Sequence, residues 1–208
     1  MDTTRRSLLI VTAAVAFSSA WKAAWSETRP PVVRYNATSA EGKAMLRIYA
    51  EGVKAMKALG SVDPISWDFQ WYIHATPKAK AQLLNEVFGQ NSSVNRDLAS
   101  ETWFTCQSHL GQPEDYFLPW HRLYVAQFER IIASITSHPE FTLPYWDYTS
   151  AASYAIPEEF QSKNKNDPVL SALFVGNRNV DGGQLRSANV NDGEPLNKHW
   201  RQKLPRFA

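Results

Sequence analysis

The sequence predicts a mainly α-helical fold with long loops. Three observations predict it. Apolar residues recur at helical spacing in two long stretches, residues 39–59 and 119–136. Capping and stop residues stand where those helices would begin and end. From about Gln161 onward the text is rich in Asn, Asp, Gly and Pro and carries no period, which argues loops. Hydrophobic residues make up 44 % of the 208, enough to bury the core of one domain.

The elements follow in order. Residues from about Trp21 to Asn36 contain prolines and no period, and are expected as an extended arm. Ser39 to Leu59 forms the first helix, with Met45, Leu46, Tyr49, Val53, Met56 and Leu59 near helical spacing and Gly60 to close it. Asp63-Pro64 is expected to start a second helix, Asp as cap and Pro in the first turn. That helix should stop near Ala75, because the residue before Pro77 avoids the α region. A third helix runs from Pro77 to Phe88 and stops at Gly89. Gln90 to Gln112 reads as loop, with a short helical turn around Asp97 to Trp103. A long helix from Pro119 to Thr136 carries His121, Tyr124, Val125, Phe128, Ile132 and Ile135 on one face. Ser137-His138-Pro139 ends it, and Phe141 to Tyr145 is expected to be extended.

Net charge is +2 with both signs interspersed, which is no electrostatic footprint for nucleic acid. The single cysteine, Cys106, excludes an intrachain disulfide. Residues 1–26 read as a twin-arginine-like signal peptide. Arg5-Arg6 directly precede an apolar run from Leu8 to Phe17, and small residues Ser18, Ser19 and Ala20 follow. The run is too short for a membrane span. The expectation is export to the periplasm or outside the cell, with no membrane attachment in the mature form.

The chain has five histidines, His74, His109, His121, His138 and His199. Neutral imidazoles suit both oxidation states of copper, and three of them leave room for an exogenous ligand. His74 falls at the predicted end of the second helix. His121 falls in the predicted first turn of the long helix, where the dipole disfavours a protonated ring by about 0.3–1 kcal/mol. His109 lies in the loop between. No two histidines are spaced one helical turn apart, so spacing alone favours a capping or core role for each. His138, before Pro139, is expected to bond the last carbonyls of its helix.

Longer strings carry more. Ser66-Trp67-Asp68-Phe69-Gln70-Trp71-Tyr72-Ile73-His74 resembles the helix bearing the first histidine of tyrosinases and polyphenol oxidases, the type-3 copper proteins. Cys106-Gln107-Ser108-His109, then Tyr116-Phe117-Leu118-Pro119-Trp120-His121-Arg122, resembles the second and third. Phe128-Glu129-Arg130-Ile131 and Leu143-Pro144-Tyr145-Trp146-Asp147-Tyr148 continue the pattern, so the likeness covers Asp63 to Ser150. It implies a tyrosinase-like copper-binding helical bundle over residues 27–208, with copper as cofactor and His74, His109 and His121 as ligands of the first copper site. It also implies phenols and dioxygen as substrates, with o-quinones as products.

Two departures stand out. His109 and His121 are further apart than in many relatives, which enlarges the loop around Gly111 to Asp115. The family's second copper site needs three more histidines, two of them one helical turn apart. After Ser150 only His199 remains. The bundle is therefore expected to be the N-terminal part only, with a C-terminal half or a copper-loading partner supplied from elsewhere. The alternatives are a non-catalytic copper- or oxygen-binding protein, an inactive truncated product, and a structural zinc site using Cys106, which the strings above disfavour. Cys106 is read either as a thioether partner of His109 or as a buried thiol. Trp120, Phe117 and Tyr145 are expected to wall the site, and Arg122 or Arg130 to pair with buried Glu129 and Asp147.

Overall fold

A computed structural model describes residues 32–74, 80–106, 117–176 and 190–195. Two compact units are present, Met1–Val33 and Arg34–Ala208; only Val32 and Val33 of the first are described, and the account below concerns the second. Among the described residues it has five α-helices: α1 Ala40–Ala58, α2 Trp67–His74, α3 Lys80–Phe88, α4 Val94–Thr105 and α5 Phe117–Thr136. Among the described residues there is no strand, only an isolated parallel bridge between Asn36 and Tyr145. The fold is mainly α, as the sequence predicts. No described helix is long and apolar enough to cross a membrane.

Helix α1 starts at Ser39, whose hydroxyl accepts the Gly42 amide at 3.0 Å. Its buried stripe is Leu46, Ala50, Val53 and Met56. The helix closes without a left-handed glycine. Leu59 turns extended and donates its amide to Met56 O, so Gly60 is not the device that ends it. Gly52 lets α1 lie close against α5. A Cβ there would stand 2.5 Å from Ile132 Cδ1 and 2.9 Å from Cγ2, closer than real contacts allow.

Helix α2 starts three residues later than Asp63-Pro64 predicts. The Asp63 side chain and carbonyl accept the amides of Ile65 and Ser66, forming a turn. The cap is Ser66, whose hydroxyl accepts the Phe69 amide at 3.1 Å. Helix α3 ends at Gly89 as predicted, with φ +76 and its amide on Asn85 O. Its expected start at Pro77 lies outside the described residues. Helix α4 corrects the expected loop: it has 12 residues, capped by Ser93 on the Arg96 amide. It buries only Ala99 and Trp103, a stripe too narrow to read as amphipathic in the sequence.

Helix α5 begins at Phe117, two residues before Pro119, which sits in the first turn where its missing N–H costs nothing. At the other end Ser137 takes φ +59. The His138 amide reaches Ala133 O and the Ser137 amide reaches Ser134 O, a Schellman closure. Residues 141–145 form no helix, and Tyr145 makes the isolated bridge to Asn36. Beyond them the described residues hold only 3-10 turns, at Ala151–Ser153, Glu158–Phe160, Ser162–Asn164, Leu170–Leu173 and Val190–Asp192.

Among the described residues the apolar side chains form three clusters. Phe69, Tyr72, Ile73, Leu84, Phe88, Ala99 and Trp103 join α2, α3 and α4. Met56, Phe128, Ile131, Ile132 and Phe141 join α1, α5 and the segment after it. Ala50, Val53 and Leu173 seat the 170–173 turn on α1. Each fully buried large side chain stabilises by roughly 1.5–3 kcal/mol. Between them these clusters fix α2 against α5, the two helices that carry His74 and His121.

Candidate metal centre

His74 is the last described residue of α2, and His121 is the fifth residue of α5. Their ring centroids lie 5.2 Å apart with planes at 81°. Imidazole nitrogens about 2.0–2.1 Å from a shared ion would set two ring centres roughly 5 Å apart at a tetrahedral angle. The pair thus has the spacing of two ligands to one ion as well as that of an edge-on ring contact. His109 and His199 lie outside the described residues, so the predicted triangle is described on one side only. Among the described residues no group of three His, Cys, Asp or Glu side chains converges.

His121 is two residues deeper in its helix than the sequence predicts, the fifth residue rather than the third. The dipole effect fades after the first turn, so it acts only weakly on this ring. A hydrogen bond sets the tautomer instead. Nδ1 stands 2.7 Å from Phe117 O, and a carbonyl can only accept, so Nδ1 carries the proton and Nε2 the lone pair. A fixed tautomer of this kind is what a ligating histidine requires.

Among the described residues three aromatic rings lie against the pair. Tyr124 stacks on His74 at 4.8 Å and 8°. Trp120 lies 6.2 Å from His74 and 4.9 Å from His121. Phe117 lies 4.1 Å from His121. Trp120 is held by its indole N–H donating to Thr105 Oγ1 at 2.9 Å. The Tyr124 hydroxyl donates to Gln70 O at 3.0 Å, and burial pushes this phenol far above its usual range, so it stays protonated. Phe117 and Trp120 take the places expected of them. Tyr145 is 52 % exposed and its backbone pairs with residues 35 and 37, while Tyr124 supplies the third ring. The sequence places Tyr124 on the correct helix face but gives no sign of its partner on α2.

The carboxylates are arranged differently from the expectation. Buried Glu129 pairs with Arg34, Nε to Oε1 at 2.8 Å and Nη2 to Oε2 at 2.9 Å, and Oε1 also accepts the Leu143 amide at 2.9 Å. Arg122 and Arg130 are exposed and are not the partners. Glu129 points across the bundle toward the N-terminal arm, a contact 95 residues distant that no local pattern announces. Asp147 is not in a buried ion pair. It accepts the hydroxyl and amide of Thr149, which hold its carboxyl below the usual range. His138 also differs: its backbone amide bonds the helix end, while its ring meets Glu140 Oε1 at 2.9 Å. Cys106 is a fully buried thiol at the end of α4. The thioether reading involves His109 and lies outside the described residues.

On this mainly helical scaffold two histidines from different helices meet among aromatic rings. The pattern described as the common central domain of tyrosinase matches residues 64–207. The chain belongs to the tyrosinase family, a family of type-3 copper oxidoreductases. It is 32 % identical over 167 residues to tyrosinase HcTyr1 of Hahella sp. (strain CCB-MM4), covering 72 % of this chain and 34 % of that protein. It is 27 % identical over 138 residues to the latent chloroplastic polyphenol oxidase of Prunus armeniaca, 61 % of this chain and 20 % of that one. A shorter stretch of 56 residues is 41 % identical to tyrosinase of Canis lupus familiaris, covering 26 % and 11 %. The chain spans about a third of the bacterial relative and about a fifth of the plant one. No solved structure matches it.

Proposed function

We propose that this chain holds one copper ion through His74, His109 and His121 and takes part in the oxidation of phenols by dioxygen. The observation that supports it best is the His74–His121 pair, 5.2 Å between rings, with the His121 tautomer fixed by Phe117 O. The donor set fits copper: neutral imidazoles without carboxylate or thiolate suit both of its oxidation states. Bound copper would supply one-electron redox chemistry and a place for dioxygen. The chain's own residues do the rest. The Phe117 carbonyl keeps the Nδ1 proton on His121. Phe117, Trp120 and Tyr124 pack on the imidazoles and leave them little room to rotate. The Arg34–Glu129–Leu143 link anchors α5 to the segment that follows it.

The 208 residues carry ligands for one such site. Assigning three histidines leaves His138, which faces Glu140, and His199. Metal analysis and an o-diphenol oxidation assay at several protein concentrations test the reading. About one copper per chain, lost in His74→Ala and His121→Ala, with little quinone formation, is the expected result. Two coppers per chain with steady turnover would sink the one-site reading, and no histidine-dependent copper would sink the metal site. Copper uptake without turnover under every condition would favour a copper- or oxygen-binding role. Residues 1–26 are proposed as the export signal and 27–208 as the copper-binding domain.

A further inference from the structure

We infer that Tyr124 is a positioning residue that sets the orientation of the His74 ring and links it to His121. The inference rests on the proposed metal site. Three contacts carry it. The Tyr124 ring lies almost parallel to the His74 imidazole, 8° apart at 4.8 Å between centroids. Its hydroxyl donates to Gln70 O at 3.0 Å. Gln70 lies four residues before His74, so this carbonyl is the one that takes the residue-74 amide in regular α geometry. Tyr124 therefore grips the backbone turn that holds His74 and the ring that His74 presents. It also lies three residues after His121, on the same face of α5 one turn along.

The geometry gives each part of the side chain a separate task. A histidine at a helix terminus can rotate about χ1 and about the broad χ2. Parallel stacking removes the χ2 freedom, because any rotation of the imidazole breaks ring contact on one side. The hydroxyl sets how far along His74 the stacking ring sits. Trp120, stacked on Tyr124 at 5.4 Å and 14°, supports the far part of the same cage. Tyr124 touches neither substrate nor metal in this account and acts through His74.

The test separates positioning from mere stability and from the metal-site reading. In the metal-free full-length chain, the His74 ring protons should resonate well upfield of a free imidazole, because they lie over the Tyr124 face. Tyr124→Leu should move them back to the free position and broaden them, while Tyr124→Phe should keep most of the shift. Copper(II) titration against a competing chelator should then show affinity down about 10- to 100-fold in Tyr124→Leu, the range typical of residues that orient ligands, and by a smaller factor in Tyr124→Phe. Its electron paramagnetic resonance hyperfine splitting should change in the same order. Ile131→Ala, in the core away from the histidines, should lower stability and leave both readouts unchanged. Unmoved His74 resonances in Tyr124→Leu, or equal effects of Ile131→Ala, would overturn the inference. A His74 shift that follows Tyr124 without histidine-dependent copper binding would support the positioning and overturn only the metal assignment.

Discussion

Replacing Arg34 with Met tests how α5 is held. The change keeps most of the aliphatic stem and removes the guanidinium that meets both oxygens of Glu129. The Glu129 side chain is only 10 % exposed, so its carboxylate is left nearly dry with one donor, the Leu143 amide. Breaking a buried pair on one side typically costs about 3–5 kcal/mol. The Arg34 side chain is 45 % exposed, so water reaches its end of the pair. Solvent screening brings the expected loss down to about 2–3 kcal/mol. Glu129→Gln keeps an acceptor for Leu143 and strands no buried charge, so its cost is expected at about 1–2 kcal/mol. The double variant should be less damaged than the sum, with a coupling of about 1–2 kcal/mol. Guanidinium titration followed by tryptophan fluorescence measures all four proteins, and the melting temperature of Arg34→Met should fall by roughly 5–10 °C. An Arg34→Met variant within about 0.5 kcal/mol of the parent, or a coupling near zero, would refute the reasoning.

Three further outcomes follow from single residues. Ser137→Gly should stabilise by about 0.5–1 kcal/mol in the same titration, because φ +59 strains a residue with a side chain and the Schellman bonds use only backbone. Glu159 is buried with Oε2 lacking a hydrogen-bond partner, and burial holds its carboxyl above the usual value of 4.5. The folded chain then binds that proton more tightly than the unfolded one, so this group's contribution falls as pH rises from about 4.5 through the folded value; Glu159→Gln should gain about 1 kcal/mol at pH 7 and lose that advantage below the unfolded value. Lys at both Arg5 and Arg6 should trap the precursor in the cytoplasm on fractionation, because a twin-arginine receptor reads guanidinium pairs; undiminished export would point to the general secretory route.

The helices legible in the sequence were those with a wide buried stripe or a strong stop. Helix α1, with four core residues at helical spacing, and α5, with its buried stripe and Ser137-His138-Pro139 end, fall within two residues of expectation. Gly89 stops α3 where it should. Helix α4 escaped because a stripe of Ala99 and Trp103 has almost no periodicity, and its cap sits in a run of Asn and Ser that reads as loop. The start of α2 was misread because Asp-Pro serves turns and helices alike, and only the Ser66 hydroxyl bond decides between them. At the candidate site, motif strings singled out His74 and His121, whose rings the structure brings into contact. Their ring contact, the Tyr124 stack and the Arg34 pair depend on which helix faces meet, information that no single segment carries.

The Glu129 carboxylate closes two loops of different length, 14 residues to Leu143 and 95 residues to Arg34. Loop entropy alone makes the longer closure dearer by about 1.7 kcal/mol. The order of events during folding follows from that gap. Helix α5 and the 141–145 segment can join early, with the carboxylate already committed to the Leu143 amide. Residue 34 can reach it only after α1 to α4 have taken up the intervening chain, so the arm docks last, as a latch on a bundle already assembled. An interaction absent from the transition state slows unfolding without speeding folding. In stopped-flow kinetics, loss of Arg34 should therefore steepen the escape from the native state and leave the rate of reaching it unchanged.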